Sequence, residues 1–208
     1  MEIEQLPLGP LGTNCYLLVE GDRTLIVDPG GDAEKLIRMV ERRKLTPAAI
    51  LLTHAHFDHI GAVDEVRERY NIDVYVHELE KDWLMDANQN GSSFFPMATP
   101  PVTARPADYF LTEGTQTIDK FSFEVRHTPG HSPGSITFLF QEDHIAIVGD
   151  TLFQGGIGRT DLPGGDMNTL MDSIEQKILT LPGTFTVCPG HGSTTTVDEE
   201  KQSNPFLS

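Results

Sequence analysis

The chain has 208 residues, of which 38% are hydrophobic and 22% are charged, a balance typical of a soluble globular protein with one sizeable domain. Its formal net charge at pH 7 is −16, and no basic patch is visible that could bind nucleic-acid phosphates. No apolar run reaches the roughly 18–20 residues that a membrane-spanning helix needs. We therefore expect no nucleic-acid partner and no membrane partner, and we expect a monomer or a homodimer.

The first residues, Met1 to Gln5, are acidic and lack the basic start and apolar core of a secretory signal, which favours a cytoplasmic location. The two cysteines, Cys15 and Cys188, lie far apart, and neither belongs to a paired-cysteine zinc motif. In a cytoplasmic protein, two such residues are expected to be reduced, buried thiols.

Short strands alternate with helices in the first half of the chain. The predicted strands, each a short apolar run bounded by turn-forming residues, are 3–6, 14–19, 24–27, 48–52 and 74–77. The predicted helices are 33–44, 61–70 and 78–84. Asp32 is predicted to cap the first helix with its side chain.

The second half is similar, with a run of strands followed by one helix and a last strand. Its predicted strands are 109–112, 116–118, 121–126, 135–140, 144–148 and 184–188, and its predicted helix is 168–181. Two similar halves indicate two sheets packed face to face with helices outside. Residues 86–107 are predicted to form an irregular surface loop. Its apolar side chains Phe94, Phe95 and Met97 suit either a substrate-binding wall or simple packing on the core.

Four potential metal ligands lie within six residues, directly after the predicted buried strand 48–52: His54, His56, Asp58 and His59. In extended backbone, the spacing of two places the imidazoles of His54 and His56 on the same side. Asp58 and His59 follow where the chain turns, so they face a different point. This arrangement suits two neighbouring metal ions better than one.

Three further candidates, His131, Asp150 and His191, each follow a predicted strand beside Gly or Pro residues that allow a tight turn. Side chains at the carboxyl ends of several strands can converge on one edge of a sheet core. Seven nitrogen and oxygen ligands without a thiolate suit zinc, iron or manganese. They exceed the three protein ligands of a catalytic zinc but fit two divalent metal ions that share a carboxylate. Zinc is the metal we expect.

Several segments resemble the metallo-β-lactamase-fold hydrolases: THAHFDHIGA from Thr53, TPGHSPGS at 128–135, GD at 149–150 and PGHG at 189–192. GGIGRTDLPGG at 155–165 and the C-terminal NPFL resemble the short bacterial glyoxalase II-type (hydroxyacylglutathione hydrolase-like) proteins. The resemblance implies an α/β (α+β) fold, the four-layer αββα sandwich, as a single domain over residues 1–208. The C-terminal helical glutathione-binding domain of longer glyoxalase II enzymes is not expected.

The resemblance also implies how the ligands divide. It places metal 1 on His54, His56 and His131, and metal 2 on Asp58, His59 and His191, with Asp150 bridging. Asp28 corresponds to the acidic residue near the site that supports a ligand histidine. The histidines at 77, 127 and 144 do not match ligand positions, and His127 is expected to support the turn at His131. Arg159 and Asp161 are expected to form an ion pair that holds their loop.

The reaction expected from the resemblance is hydrolysis of a small-molecule thioester, S-lactoylglutathione or a related hydroxyacyl thiol, by attack of a metal-bridging hydroxide. Asp58 is expected to be catalytic besides being a ligand. Only Lys201 is basic after His191, so the family's glutathione site does not carry over.

Three alternatives stay open. The first is a persulfide dioxygenase with one iron on residues matching His54, His131 and Asp150. The second is a lactonase-type or β-lactam hydrolase of the same fold. The third is a metal-stabilised interaction module without turnover. Metal content together with thioesterase and oxygen-consumption assays distinguishes these alternatives.

Overall fold

The computed structural model describes residues 1–97 and 99–207. The chain divides into two compact units, the first Met1–Leu111 with Thr117–Phe121 and the second Thr112–Gln116 with Ser122–Ser208. Within the part of the chain that is described, no helix is both long and apolar enough to span a membrane. The single domain over residues 1–208, the absence of a further helical domain and the cytoplasmic location stay predictions.

The first unit is built on a six-stranded sheet whose strands follow the order of the chain. They are β1 (Glu2–Leu8), β2 (Thr13–Glu20), β3 (Arg23–Val27), β4 (Thr46–Leu51), β5 (Asp73–His77) and β6 (Tyr109–Leu111). β1 to β3 are antiparallel, and β3 to β6 are parallel. Val27 at the end of β3 pairs with Leu51 at the end of β4. The segments after these two strands therefore leave the sheet at the same edge.

Three helices belong to this unit: α1 (Ala33–Arg42), α2 (Phe57–Ile60) and α3 (Val63–Tyr70). The apolar faces of α1 and α3, with Leu36 and Val66 fully buried, join one core with the strand residues Ile26, Ile50 and Val74. Burial of each such side chain contributes about 1.5–3 kcal/mol to the free energy of unfolding. The turn that carries the predicted ligands is thus attached to a rigid layer.

The second unit contains another six-stranded sheet. Its strands are β7 (Gly114–Ile118), β8 (Phe121–His127), β9 (Ile136–Phe140), β10 (Ile145–Gly149), β13 (Thr186–Pro189) and β14 (Thr195–Thr196), in the spatial order β14-β13-β10-β9-β8-β7. β10 and β13 are parallel, and Gly149 pairs with Pro189. The residues that follow these two strands, Asp150 and His191, therefore emerge at one edge.

The remaining elements of the second unit are short. The hairpin β11 (Leu152–Phe153) and β12 (Gly156–Ile157) follows Asp150. The helix α4 (Met167–Ser173) continues into a wider π-helical turn over Ile174–Ile178, and α5 (Val197–Ser203) follows β14. These helices pack Leu170, Ile174 and Val197 into the unit's core.

The predicted strands agree with the structure within a few residues, but the short elements α2, β11, β12, β14 and α5 were not predicted. β11, β12 and β14 have two residues each, which is too short for a periodic pattern. The sequence of α5, VDEEKQS, is almost wholly polar. The predicted helix 168–181 is α-helical only as far as Ser173.

The predicted capping role of Asp32 is wrong. Asp32 does occupy the position before α1, but its φ is 46° and its side chain makes no capping hydrogen bond. Its carboxylate accepts a hydrogen bond from the backbone N–H of Gly9 instead, at 2.9 Å. The residue therefore joins the β1–β2 turn to the start of the helix.

Two other expectations concern the thiols and the long loop. Cys15 and Cys188 are free and buried, as predicted. Burial raises the pKa of the Cys188 thiol to about 12, so it stays protonated at neutral pH. Residues 86–107 form an irregular loop with a short 3₁₀ turn at Ser92–Phe94, and residue 98 lies outside the described residues.

Substitution of Gly130 tests how tightly the turn before His131 is packed. Its φ is +127°, and a Cβ there would lie 2.2 Å from the backbone nitrogen of Leu170. We expect Gly130→Ala to lower the free energy of unfolding of the metal-free protein by about 3 kcal/mol or more, since strain and a backbone clash add.

Gly114→Ala is the matched control, because its φ is +114° and no described atom lies within 4 Å of the added Cβ. This substitution carries the backbone strain alone, about 1–2 kcal/mol. Urea unfolding measures both variants, and equal losses would contradict the packing described for Gly130.

Candidate metal centre

The four predicted ligands of the first unit lie together between β4 and α2. His54 and His56 occupy the connection after β4, and Asp58 and His59 lie in α2. The ring centroids of His54 and His56 are 4.7 Å apart, and those of His54 and His59 are 4.1 Å apart. All four side chains are buried. The structure therefore brings these four residues into one cluster, which we call the β4–α2 cluster.

Asp28 is the residue that orders this cluster. Its buried carboxylate accepts hydrogen bonds from the Thr53 N–H at 2.8 Å, from the Thr53 hydroxyl at 2.6 Å and from His59 Nδ1 at 2.9 Å. A carboxylate can only accept, so the proton of His59 lies on Nδ1. The lone pair of Nε2 is then directed toward a ligand, as in metal-binding histidines.

The same carboxylate acts on a second imidazole through Thr53. Because the Thr53 hydroxyl donates to Asp28, it accepts from His54 Nδ1, 3.1 Å away. His54 therefore also carries its proton on Nδ1 and presents Nε2. The sequence indicated one histidine partner for Asp28, but the relay through Thr53 was not foreseen.

Asp58 is positioned from β2. The Thr13 hydroxyl donates to Asp58 Oδ2 at 2.7 Å, and the same oxygen lies 3.7 Å from His59 Nε2. Ligand atoms that bind one zinc ion at about 2.0–2.2 Å lie within about 4 Å of each other, so this pair can share an ion. Gly30 packs against this turn, because a Cβ there would lie 1.8 Å from the carbonyl oxygen of Asp58.

A buried glutamate supports the chain between His54 and His56. Glu80 is fully buried and accepts the Ala55 N–H at 2.5 Å. It lies in a 3₁₀ turn at Glu78–Glu80 and was predicted only as part of a short helix. A single acidic residue there carries no motif, so this role could not be read from the sequence.

The second unit brings together His131, Asp150 and His191, which we call the Asp150 cluster. Asp150 Oδ2 lies 3.6 Å from His131 Nε2 and 3.5 Å from His191 Nε2. One carboxylate oxygen thus lies within ion-sharing distance of two imidazoles. Whether Asp150 bridges two metal ions stays a prediction.

His131 is oriented by a backbone carbonyl. Its Nδ1 donates to the Arg159 carbonyl oxygen at 2.8 Å, because a carbonyl can only accept. The Arg159 guanidinium makes two hydrogen bonds to Asp161, at 2.6 and 2.7 Å, which confirms the predicted ion pair. This pairing lowers the pKa of Asp161 to about 2. His127 Nε2 donates to the Pro133 carbonyl at 2.8 Å, in agreement with its predicted support of the turn.

The residues present fit a divalent metal. The Nε2 atoms of His54, His56 and His59 and Asp150 Oδ1 are buried and make no hydrogen bond in the described structure. The rings of His54 and His59 are held through Nδ1. Imidazole and carboxylate donors without a thiolate match zinc, iron or manganese. Each unit thus carries a His/Asp cluster suited to divalent metal. That all seven residues form one centre stays a prediction.

The relay from Asp28 can be tested by metal binding. We expect Asp28→Asn to weaken the affinity for zinc by about 10- to 100-fold, the usual cost of losing the partner of a ligand histidine. Asp32→Asn is the matched control, since the Asp32 carboxylate accepts only the Gly9 N–H among the bonds described. Competition with a chromophoric chelator measures both variants, and an unchanged affinity in Asp28→Asn would refute the relay.

Comparison with known proteins agrees with this geometry. The sequence profile of the Metallo-beta-lactamase superfamily matches residues 8–191. The "Probable metallo-hydrolase YqgX" of Bacillus subtilis is 50% identical over 208 residues, which cover 100% of this chain and 98% of that protein. The "Hydroxyacylglutathione hydrolase GloC" of Haemophilus influenzae is 40% identical over 210 residues, with coverage of 100% and 98%.

Three of the similar solved structures each cover at least 98% of this chain. BLEG-1 B3 metallo-beta-lactamase is 53% identical with a TM-score of 0.97, and each chain is covered completely. TTHA1623 in a di-iron-bound form is 40% identical with a TM-score of 0.88, and 98% of this chain and 100% of that chain are covered. ETHE1 from Myxococcus xanthus is 28% identical with a TM-score of 0.80, with coverage of 100% and 84%.

These likenesses confirm the predicted fold class, α/β with the fold of the metallo-β-lactamases. The chain belongs to the metallo-β-lactamase superfamily, and it is a metallo-hydrolase of that family.

Proposed function

We propose that the β4–α2 cluster and the Asp150 cluster form one dinuclear centre that hydrolyses thioesters, with S-lactoylglutathione or a related hydroxyacyl thiol as substrate. The observation that carries the substrate class is the 40% identity, over the full chain, to a protein named hydroxyacylglutathione hydrolase. The metallo-hydrolase membership supplies the type of reaction, and the substrate is the part that needs a test.

In this centre, His54, His56 and His131 hold one ion, Asp58, His59 and His191 hold the other, and Asp150 bridges them. Two observations support the bridge: Asp150 Oδ2 lies 3.6 and 3.5 Å from two imidazoles of its own unit, and a 40% identical neighbour was solved in a di-iron-bound form. We propose zinc as the metal, with iron or manganese as the alternatives. A bound pair of such ions lowers the pKa of water to near 7 and polarises a carbonyl.

The protein's own catalytic group in this proposal is Asp58. The Thr13 hydroxyl holds its carboxylate at 2.7 Å, so the group is fixed before substrate arrives. The Asp58 carboxylate accepts a proton from the attacking water as a bond forms between the water oxygen and the thioester carbon. The carbon–sulfur bond then breaks, the proton passes to the departing sulfur, and the products are a hydroxy acid and a thiol.

The charges of the chain affect which thioester substrates can bind, because the thiol portion of the substrate can itself be charged. The formal net charge is −16, which disfavours a strongly anionic carrier. Two cations of the second unit are already engaged, since Arg159 pairs with Asp161 and Lys177 pairs with Glu113. We therefore propose that no Arg or Lys side chain binds the thiol portion of the substrate. Thioesters of uncharged thiols are then accepted as well as those of glutathione.

The loop at residues 86–107 is proposed as an apolar wall for the substrate. The Phe57 N–H donates to the Asn90 carbonyl at 3.0 Å, and the rings of Phe57 and Phe95 lie 5.5 Å apart. Phe57 lies between His56 and Asp58 in sequence, so the loop is held beside the ligands of its own unit. Phe94 is 56% exposed and is available to a ligand.

Two other reactions are favoured by specific likenesses. ETHE1, at 28% identity, supports the alternative in which one iron on His54, His131 and Asp150 oxidises a persulfide. A 53% identical structure named as a B3 metallo-beta-lactamase supports cleavage of a β-lactam amide at the same centre. A lactonase-type reaction requires the same attack on a carbonyl carbon.

Hydrolysis of S-lactoylglutathione, followed by the loss of thioester absorbance, tests the proposal. We expect zinc-loaded protein to hydrolyse this substrate, and His56→Ala to lower kcat/KM by more than about 100-fold, since a ligand is lost rather than a ligand's partner. His144→Ala is the matched control, because His144 is an exposed histidine whose ring stacks on Phe185 and which is not a predicted ligand.

Two results would contradict the proposal. One is an absence of thioesterase activity with rapid hydrolysis of a β-lactam or lactone. The other is oxygen consumption with glutathione persulfide by protein that holds a single iron per chain.

The wall is tested separately with Phe94→Ala and Phe95→Ala. We expect each variant to raise KM about three- to tenfold at similar kcat, equivalent to about 0.7–1.4 kcal/mol of apolar contact. Phe110→Ala is the control, because Phe110 is a 48% exposed phenylalanine on the edge strand β6. If both loop variants keep the KM and kcat of the parent, the wall does not exist.

A further inference from the structure

We infer that Glu200 and Asn204, at the end of the chain, are positioning residues for the ligand His131, although neither touches it. The inference rests on the proposed metal centre. Every contact that carries it lies within the second unit, from α5 through the β11–β12 hairpin to the imidazole.

The first step is the set of hydrogen bonds that attaches α5 and Asn204 to the β11–β12 hairpin. Glu200 Oε2 accepts the Gly155 N–H at 2.9 Å and the Asn204 side-chain amide at 2.7 Å, and Oε1 accepts the Thr195 hydroxyl at 2.6 Å. The Asn204 amide also donates to the Gly156 carbonyl at 3.1 Å. Glu200 is 1% exposed, so these bonds offset the large cost of burying its charge. One backbone donor and one backbone acceptor at the tip of the hairpin are thereby fixed by Glu200 and Asn204.

The second step is the path of the hairpin back to the ligands. Leu152 pairs with Ile157 and Phe153 with Gly156, and the Gly158 N–H donates to the Thr151 carbonyl at 3.3 Å. A Cβ on Gly158 would lie 1.9 Å from the Asp150 carbonyl oxygen and 3.2 Å from His131 Cβ. The backbone at Gly158 is therefore pressed directly against both ligand residues.

The third step is one residue further along the chain. The Arg159 carbonyl accepts the Nδ1 proton of His131 at 2.8 Å, while the Arg159 side chain is engaged with Asp161. The imidazole is therefore oriented by a backbone oxygen whose place is set by the hairpin. Ligand geometry tolerates only small displacements, so the anchor of the hairpin affects metal binding at a distance.

The hydrogen bonds of Glu200 and Asn204 to the hairpin are not needed to stabilise the start of α5. The helix has its own capping box, in which the Thr196 hydroxyl accepts the Glu199 N–H at 3.2 Å and the Glu199 carboxylate accepts the Thr196 N–H at 3.1 Å. The side chain of Asn204 and one oxygen of Glu200 are directed to the hairpin instead. The C-terminal NPFL, which begins at Asn204, thereby gains a specific role.

The experiment compares Asn204→Ala with Ser203→Ala. The control removes a neighbouring side chain whose hydroxyl bonds only within the helix, to the Glu199 carbonyl at 2.7 Å. Nitrogen-15 NMR of the histidines in metal-free protein reports exchange of the His131 Nδ1 proton with water. The His59 Nδ1 proton, held by Asp28 in the other unit, is the internal reference. Zinc affinity is then measured by chelator competition.

In Asn204→Ala we expect the His131 Nδ1 proton to exchange about tenfold faster, the His59 proton to be unchanged, and one of two zinc ions to bind about tenfold more weakly. Ser203→Ala should match the parent in all three. If a folded Asn204→Ala variant keeps parent values, or if the control changes equally, the inference is wrong.

If Asn204→Ala does not fold, Asn204→Ser, which keeps a polar group too short to reach Gly156, decides by the same readouts. The proton exchange is measured without metal or substrate. A protein that proved inactive toward thioesters would therefore refute the proposed function and leave this test intact.

Discussion

A hydrogen bond donated by the Nδ1–H of a histidine is the interaction on which the candidate ligand clusters depend. In the first unit, Asp28 fixes His59 directly at 2.9 Å and fixes His54 through the Thr53 hydroxyl. In the second unit, the Arg159 carbonyl fixes His131 at 2.8 Å. Each acceptor keeps the proton on Nδ1 and leaves the Nε2 lone pair for a metal. Two different acceptors, a buried carboxylate and a backbone carbonyl, thus select the same histidine tautomer.

These acceptors are in place because of the strand order. β3 and β4 are parallel neighbours with Val27 opposite Leu51, so Asp28 and Thr53 meet at one edge of the first sheet. β10 and β13 are parallel neighbours with Gly149 opposite Pro189, so Asp150 and His191 meet at one edge of the second. Gly30 and Gly158 then allow backbone to approach the ligand residues where any side chain would clash. The strand order and these glycines therefore position the candidate ligands within each unit.

Much of this was predictable, and the reason differs from residue to residue. His54, His56, Asp58 and His59 were identifiable because they directly follow a buried strand, and the structure groups all four. The His59 ring lies 4.1 Å from the His54 ring, closer than the His56 ring at 4.7 Å, so the expected division of these ligands between two points stays a prediction. His131, Asp150 and His191 were identifiable because each follows a strand end. The Arg159 carbonyl could not be predicted, because every residue has a carbonyl and its role depends on where the chain folds. Glu80 and Thr13 likewise act through a single contact that leaves no pattern.

The hairpin β11–β12 and the helix α5 were missed because the hairpin is too short and the helix too polar to show periodicity. The capping role of Asp32 was predicted wrongly because Gly9, distant in sequence, competes for its carboxylate. The union of the two clusters in one centre, the metal and the thioester substrate stay predictions.

Anomalous X-ray scattering from crystals of metal-loaded protein tests the central claim most directly. The account predicts two anomalous peaks per chain, about 3.5–4 Å apart, with Asp150 between them. One peak should be ligated by His54, His56 and His131, and the other by Asp58, His59 and His191. A single peak, or peaks in which the histidines of the two units bind separate and distant ions, would contradict it.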